Sequence, residues 1–97
     1  MGVKYNREYK QISEELAAAI ATIDDCYEFF EMERSDWLNL ARNERMDCIR
    51  TLSDDLFYAL GADPVVYVGS GVVAYDARQH LIKVTPATKI VHVIKLI

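Results

Sequence analysis

In the first half of the chain, apolar residues return at alternating steps of four and three. Tyr5, Tyr9, Ile12, Leu16, Ala19, Ile23, Cys26 and Phe30 make up this series. Such a stripe is one face of a helix, and Ile20, Tyr27 and Phe29 widen it toward its C-terminal end. Glu14, Glu15, Asp24, Asp25, Glu28 and Glu31 fall between the stripe positions, where water belongs. The spacing predicts a helix from about Asn6 to about Met32, which at about 27 residues is well above the usual length.

Beyond it, Ser35 is suited to cap a helix, with Trp37, Leu38, Leu40 and Ala41 to anchor it. A strong stripe resumes with Ile49, Leu52, Leu56, Phe57 and Leu60, but Asn43, Glu44 and Arg45 interrupt the apolar face. Either one helix covers 36–60, or a short turn covers 36–41 and the main helix starts near 43. The interruption favours the second. Gly61 offers a positive-φ stop, and Pro64 prevents the helix from resuming.

After Gly61 the pattern changes. Val65–Val68, Val72–Tyr75, Leu81–Val84 and Ile90–Ile97 are short runs of β-branched and aliphatic residues, which reads as strands. Gly69-Ser70 fits a two-residue type II′ turn. Asp76-Ala77-Arg78-Gln79 and Thr85-Pro86-Ala87-Thr88 are longer connections. Short loops of this kind join antiparallel neighbours. The fold class expected is α+β: an N-terminal two-helix hairpin, its second helix broken near 41–43, packed on a three- to four-stranded antiparallel meander. The helical half spans 5–61 and the β half 64–97, together one domain over 1–97.

A strand with one face in water alternates apolar and polar residues. The last segment does not. One face carries Ile90, His92, Ile94 and Leu96, the other Val91, Val93, Lys95 and Ile97, so six of the eight are large and aliphatic. A helical hairpin covers one face of a small sheet, which leaves apolar β-surface in need of another cover. Self-association as a homodimer is the economical solution, since symmetric dimers are the commonest oligomers. The competing reading is a central last strand with a helix on each face, which needs no partner. The residues expected at a partner surface are Ile90, Val91, Val93, Ile94 and Leu96, with Trp37 and Tyr75 as aromatic anchors.

Composition refines this picture only modestly. Of 97 residues, 52% are hydrophobic and 27% charged, as in an ordinary globular chain. The net charge of −4 argues against gripping nucleic acid through a whole-surface positive field. The charge is also uneven: residues 1–60 carry thirteen acids and seven bases, residues 61–97 two acids and four bases. No stretch reaches the roughly 18 apolar residues of a membrane span, and the first residues lack an apolar signal core. Gly2 meets a myristoylation pattern only in part, because position 6 is Asn. A cytoplasmic, reducing location is expected, with Cys26 and Cys48 as free thiols.

No motif assembles catalytic chemistry. Cys26 and Cys48 lie 22 residues apart with no further ligand close by, which disfavours a metal site. A broad turn over 34–41 would set Cys26 opposite about residue 49. In a hairpin centred on Pro86-Ala87, His80 faces Val93 or Ile94, so it does not meet His92. Asp76, four residues before His80, is placed for a carboxylate–imidazole hydrogen bond, but no nucleophile joins them. Gly69-Ser70-Gly71 leads into a strand and not into a helix, so it reads as a turn rather than a phosphate loop.

No catalytic residue, metal or cofactor is therefore expected. The function expected is a non-enzymatic protein–protein interaction or regulatory module that self-associates through its C-terminal sheet. The alternative is a nucleic-acid-linked accessory protein. It would bind through Tyr67, Tyr75, His80, Arg78, Lys83, Lys89 and Lys95, or mimic DNA through Glu14-Glu15, Asp24-Asp25 and Asp54-Asp55.

Overall fold

The structure, a computed structural model, describes residues 3–97, so Gly2 lies outside the described residues. Helix α1 (Tyr9–Ile20) forms over Leu16 and the strong helix formers Ala17, Ala18 and Ala19. Its stripe of Ile12, Leu16 and Ile20 is fully buried. The continuous helix expected as far as Met32 does not form. Thr22 donates its hydroxyl to the Ala19 carbonyl at 2.6 Å. The N–H groups of Thr22 and Ile23 tighten onto Ala19 and Ile20, three residues back, at 3.1 and 2.9 Å.

The chain then bends and brings the Asp25 carboxylate to Ser70. That carboxylate accepts the Ser70 backbone N–H and its hydroxyl, each at 2.9 Å. A 3-10 turn over Cys26–Phe30 follows and ends at Glu31, in the left-handed region at φ 56°. Ile23 and Cys26 are buried all the same. The apolar stripe thus marked core positions correctly, but it did not mark a straight rod.

The second helix is interrupted. Helix α2 (Arg34–Asn39) and helix α3 (Arg42–Ala62) are separated by Leu40 and Ala41, both extended. Ser35 sits inside α2 and does not cap it; the cap position is Glu33, with no side-chain bond. Glu44 accepts the Ala41 N–H at 2.9 Å, so Asn43, Glu44 and Arg45 are the first turn of α3 and not a gap in it. Gly61 stays helical. The stop falls at Asp63, extended at φ −132°, because the residue before a proline is pushed out of the helical region.

Strands β1 (Val65–Val68), β2 (Gly71–Asp76), β3 (Leu81–Thr85) and β4 (His92–Lys95) form an antiparallel sheet in sequence order. Gly69 opens the β1–β2 turn with φ 55°, the positive value expected for its first central residue. The β3–β4 ladder pairs Leu81 with Lys95 and Val84 with His92, so the hairpin centres on Thr88 and not on Pro86-Ala87. Lys89, at φ 68°, closes part of that wider loop by donating its N–H to Pro86. Ile90 and Val91 consequently precede the strand that sequence pattern had begun at Ile90.

The helices form one layer and the sheet the other. α1 packs on α3 and lies against β3 and β4, while α3 meets β1. Between the layers Leu16, Leu52, Leu56, Val68, Val73, Ile82, Val84 and Leu96 have no exposure, and Leu60 is buried beside them. Ser53, the buried polar residue of this core, donates its hydroxyl to Ile49 at 2.9 Å. Gly71 lets the β1–β2 hairpin sit on Ile23, since a Cβ there would lie 2.6 Å from Ile23 Cδ1. Gly71→Ala is therefore expected to cost about 1–3 kcal/mol by overpacking. Adding Ile23→Val should recover part of it, read by chemical denaturation as a non-additive pair.

Candidate functional site

Paired residues in an antiparallel ladder share a face, so the registers fix which side chains look away from the helices. One row is Val65, Ala74, Lys83 and Val93; a second is Tyr67, Val72 and Thr85; a third is Asp76, Leu81 and Lys95. This outer face is largely apolar, and none of its side chains belongs to the core cluster. Tyr67 is 71% exposed, Val93 48% and Val65 39%. No helix of the described residues covers it.

The residues expected at a partner surface divide between the two faces. Val93 is exposed on the outer face of β4, and Ile90 and Val91 are exposed on its approach. Ile94 and Leu96 point the other way and are buried within one copy, so the expectation that they meet a partner is corrected. Strand alternation dictates that outcome, since two successive β4 side chains cannot share a face. Trp37 is also internal. It stacks on Phe30 at 6.1 Å and lies 6.2 Å from Tyr27, fastening α2 to the 3-10 turn. Tyr75 is half-buried on the inner face, and its hydroxyl accepts the Lys4 N–H at 3.3 Å. Both rings are engaged by contacts within one copy.

Tyr67 and Val65 belong to the exposed surface; the sequence set Tyr67 on an open sheet face only under the nucleic-acid alternative and did not place Val65 there. The signal was available in Val65–Val68: once one face of β1 packs on α3, period-two alternation sends Val65 and Tyr67 outward. The small side chains beside β4 were not legible, because which helix flanks the edge depends on tertiary packing. A groove of about 530 Å³ runs there, lined by Glu15, Ala18, Ala19 and Thr22 on one side and Val91, His92, Val93 and Ile94 on the other.

Two further concavities lie in the helical half. Tyr5 and Tyr9 each pack edge to face on Phe57, at 5.3 and 5.0 Å, beside a cavity of about 590 Å³. Tyr9 donates its hydroxyl to Asp54 at 2.7 Å. Burial, and then that hydrogen bond, raise the phenol above its ordinary pKa. The second, about 360 Å³, lies between the 3-10 turn, α2 and α3, and both Cys26 and Ile49 line it.

The chemistry weighed in the sequence is dispersed. Asp76 accepts the backbone N–H groups of Arg78 and Gln79 at 3.0 Å, closing its own turn and leaving His80 without that carboxylate. His80 is in the left-handed region, and its carbonyl meets Leu96, while His92 pairs with Val84. Among the described residues no three His, Cys, Asp or Glu side chains gather as metal ligands. Of the acid pairs, Asp25 is tied to Ser70, Glu15 to Arg7, and Asp54 to Tyr9. Tyr67, Lys83 and Lys95 share the outer face, but Tyr75 lies on the inner one. No helix is long and apolar enough to cross a membrane, among the described residues.

Compared with known proteins, the chain matches no family model, no curated protein and no solved structure. The geometry of its own surface carries the functional argument.

Both thiols are free, Cys26 buried and Cys48 half-buried. Burial, with Asp25 adding to it, pushes the Cys26 thiol up to about 11. The thiolate is the reactive form, so at pH 8 Cys48 should alkylate at least ~10-fold faster. Cys26 should react only on unfolding or as the pH nears its raised value. Peptide mapping after iodoacetamide labelling checks this.

Proposed function

We propose that this protein is a non-enzymatic interaction module that self-associates through its C-terminal sheet. The observation that supports this is one-sided coverage: the helices shield one face, and the other presents Val65, Tyr67, Val72, Ala74, Leu81 and Val93 without a cover among the described residues. Fully burying one Val or Leu side chain yields roughly 1.5–3 kcal/mol. Association costs roughly 4–15 kcal/mol in lost freedom. Covering one valine does not meet that cost, whereas covering three or four aliphatic side chains on each of two copies does. A second copy brings the same surface, so each contact counts twice about a two-fold axis.

Lys83 and Lys95 lie among the apolar residues and keep the face from being uniformly greasy. Such inward-of-edge lysines are a common device against indiscriminate strand pairing, and they fit a surface that closes on one specific partner.

Light scattering is expected to give twice the chain mass at micromolar concentration. Val93→Lys should weaken the dimer at least ~10-fold, while Tyr58→Lys on the outer side of α3, where Tyr58 is 87% exposed, should leave it unchanged. A mass of one chain at all concentrations overturns the proposal.

A further inference from the structure

The sheet has two edges, and they are not equivalent. Leu96 donates its N–H to His80 across the β3 side at 2.9 Å. In an antiparallel ladder successive residues turn their backbone groups to opposite sides. Ile94 and His92 therefore face β3, and Val93 and Lys95 direct their N–H groups away from the sheet. Neither of these N–H groups has a hydrogen-bond partner among the described residues.

Past Lys95 the edge is closed from within the chain. The Leu96 carbonyl accepts the N–H groups of Asn6 and Arg7 at 2.9 and 3.2 Å, and the Arg7 guanidinium reaches the Lys95 carbonyl at 2.8 Å. At the opposite edge, Asp63 takes the Val65 N–H at 3.2 Å, and the 3-10 turn packs against β1. On the β4 side a short stretch around Val93 stays open, flanked by exposed Val91 and bordered by the groove beside α1; on the β1 side Tyr67 also turns its N–H outward, with no such groove beside it.

We propose, resting on the self-association reading but placing the first contact at the sheet edge and not over its outer face, that two copies join β4 to β4 antiparallel about a two-fold axis at Val93. The two four-stranded sheets become one of eight strands. Val93 of each copy then exchanges both backbone hydrogen bonds with its counterpart, and Val91 faces Lys95 of the other copy. An added strand lies about 4.8 Å from β4, inside the groove that Ala18 and Thr22 border. Those side chains are small and uncharged where the axis passes. Glu15, the charged residue of the groove, sits toward the Arg7 end and is already paired with Arg7.

The same chain suits this site better than an unrelated peptide for two reasons. β4 is a preformed strand, so it adds without the ordering cost of an unstructured segment. Its charges also stay apart. With Val93 on the axis, the two Lys95 positions are four residues apart along the paired strands, about 13 Å at roughly 3.3 Å per residue. That exceeds the Debye length of roughly 8–10 Å at working ionic strength. Val91 meanwhile is covered by the aliphatic stem of a lysine.

Cysteine placement tests the geometry. A hydrogen-bonded antiparallel pair sets Cα atoms about 5.5 Å apart, within the roughly 4.4–6.8 Å that a disulfide spans. Val93→Cys under mild oxidation is expected to give a covalent dimer linked between the two positions 93, at least ~10-fold faster than Tyr67→Cys at the far edge of the same face. Hydrogen exchange on the unaltered protein gives an independent readout: the Val93 and Lys95 amides should gain protection as concentration rises.

If the unaltered chain is a dimer by mass but Tyr67→Cys crosslinks as fast, or those two amides stay unprotected, edge pairing is overturned and self-association stands. If the unaltered chain is a monomer throughout, both fall.

Discussion

Burial between two layers governs this molecule. Leu16 and Ile20 of α1, Leu52 and Leu56 of α3, and Val73, Ile82 and Ile94 of the sheet meet in one seam from which water is excluded. Because a chain of this length builds only one such seam, each helix and the sheet have a single face to hide. Everything else accommodates that restriction. The 3-10 turn keeps Ile23 and Cys26 in the seam after α1 has ended, and Trp37 fastens the short α2 to that turn.

The same restriction creates the surface that has no internal use. Once α1 and α3 occupy the inner side, strand alternation must send Val65, Tyr67, Val72 and Val93 to the outer one. A polar set at those positions would have been enough for solubility, and the β2 and β3 residues Asp76, Lys83 and Thr85 follow that rule. The valines do not. The backbone groups of β4 add direction to an otherwise unspecific apolar patch, since hydrogen bonds fix register while aliphatic contacts do not.

Much of the architecture was legible in the residues, and the failures are instructive. Four strands and the break before α3 followed from β-branched runs, short turns and the polar triplet at Asn43–Arg45. The length of α1 did not, because period reports which positions are buried and says nothing about whether the backbone between them stays straight. The Thr22 hydroxyl on Ala19 and the tertiary bond from Asp25 to Ser70 mark where the chain bends. Gly61 had the right identity for a stop, but the geometric veto of Pro64 acted two residues later. The β3–β4 register depended on a loop whose left-handed Lys89 carries no glycine or asparagine signal. That slip moved Ile90 and Val91 out of the strand. Alternation, applied to Ile94 and Leu96 with one face assigned to the helices, would already have withdrawn them from the partner surface.

Asp25 and Ser70 stand 45 positions apart in sequence, yet one carboxylate satisfies the backbone of the tightest turn in the sheet. The turn's N–H is thus completed by the helical half, just as the cleft over Gly71 is filled by Ile23. Neither half holds all of its own partners. Folding must then be cooperative across the whole chain, with no stable separated β-hairpin, and a proteolytic cut between α1 and β1 would release two fragments that lose structure together.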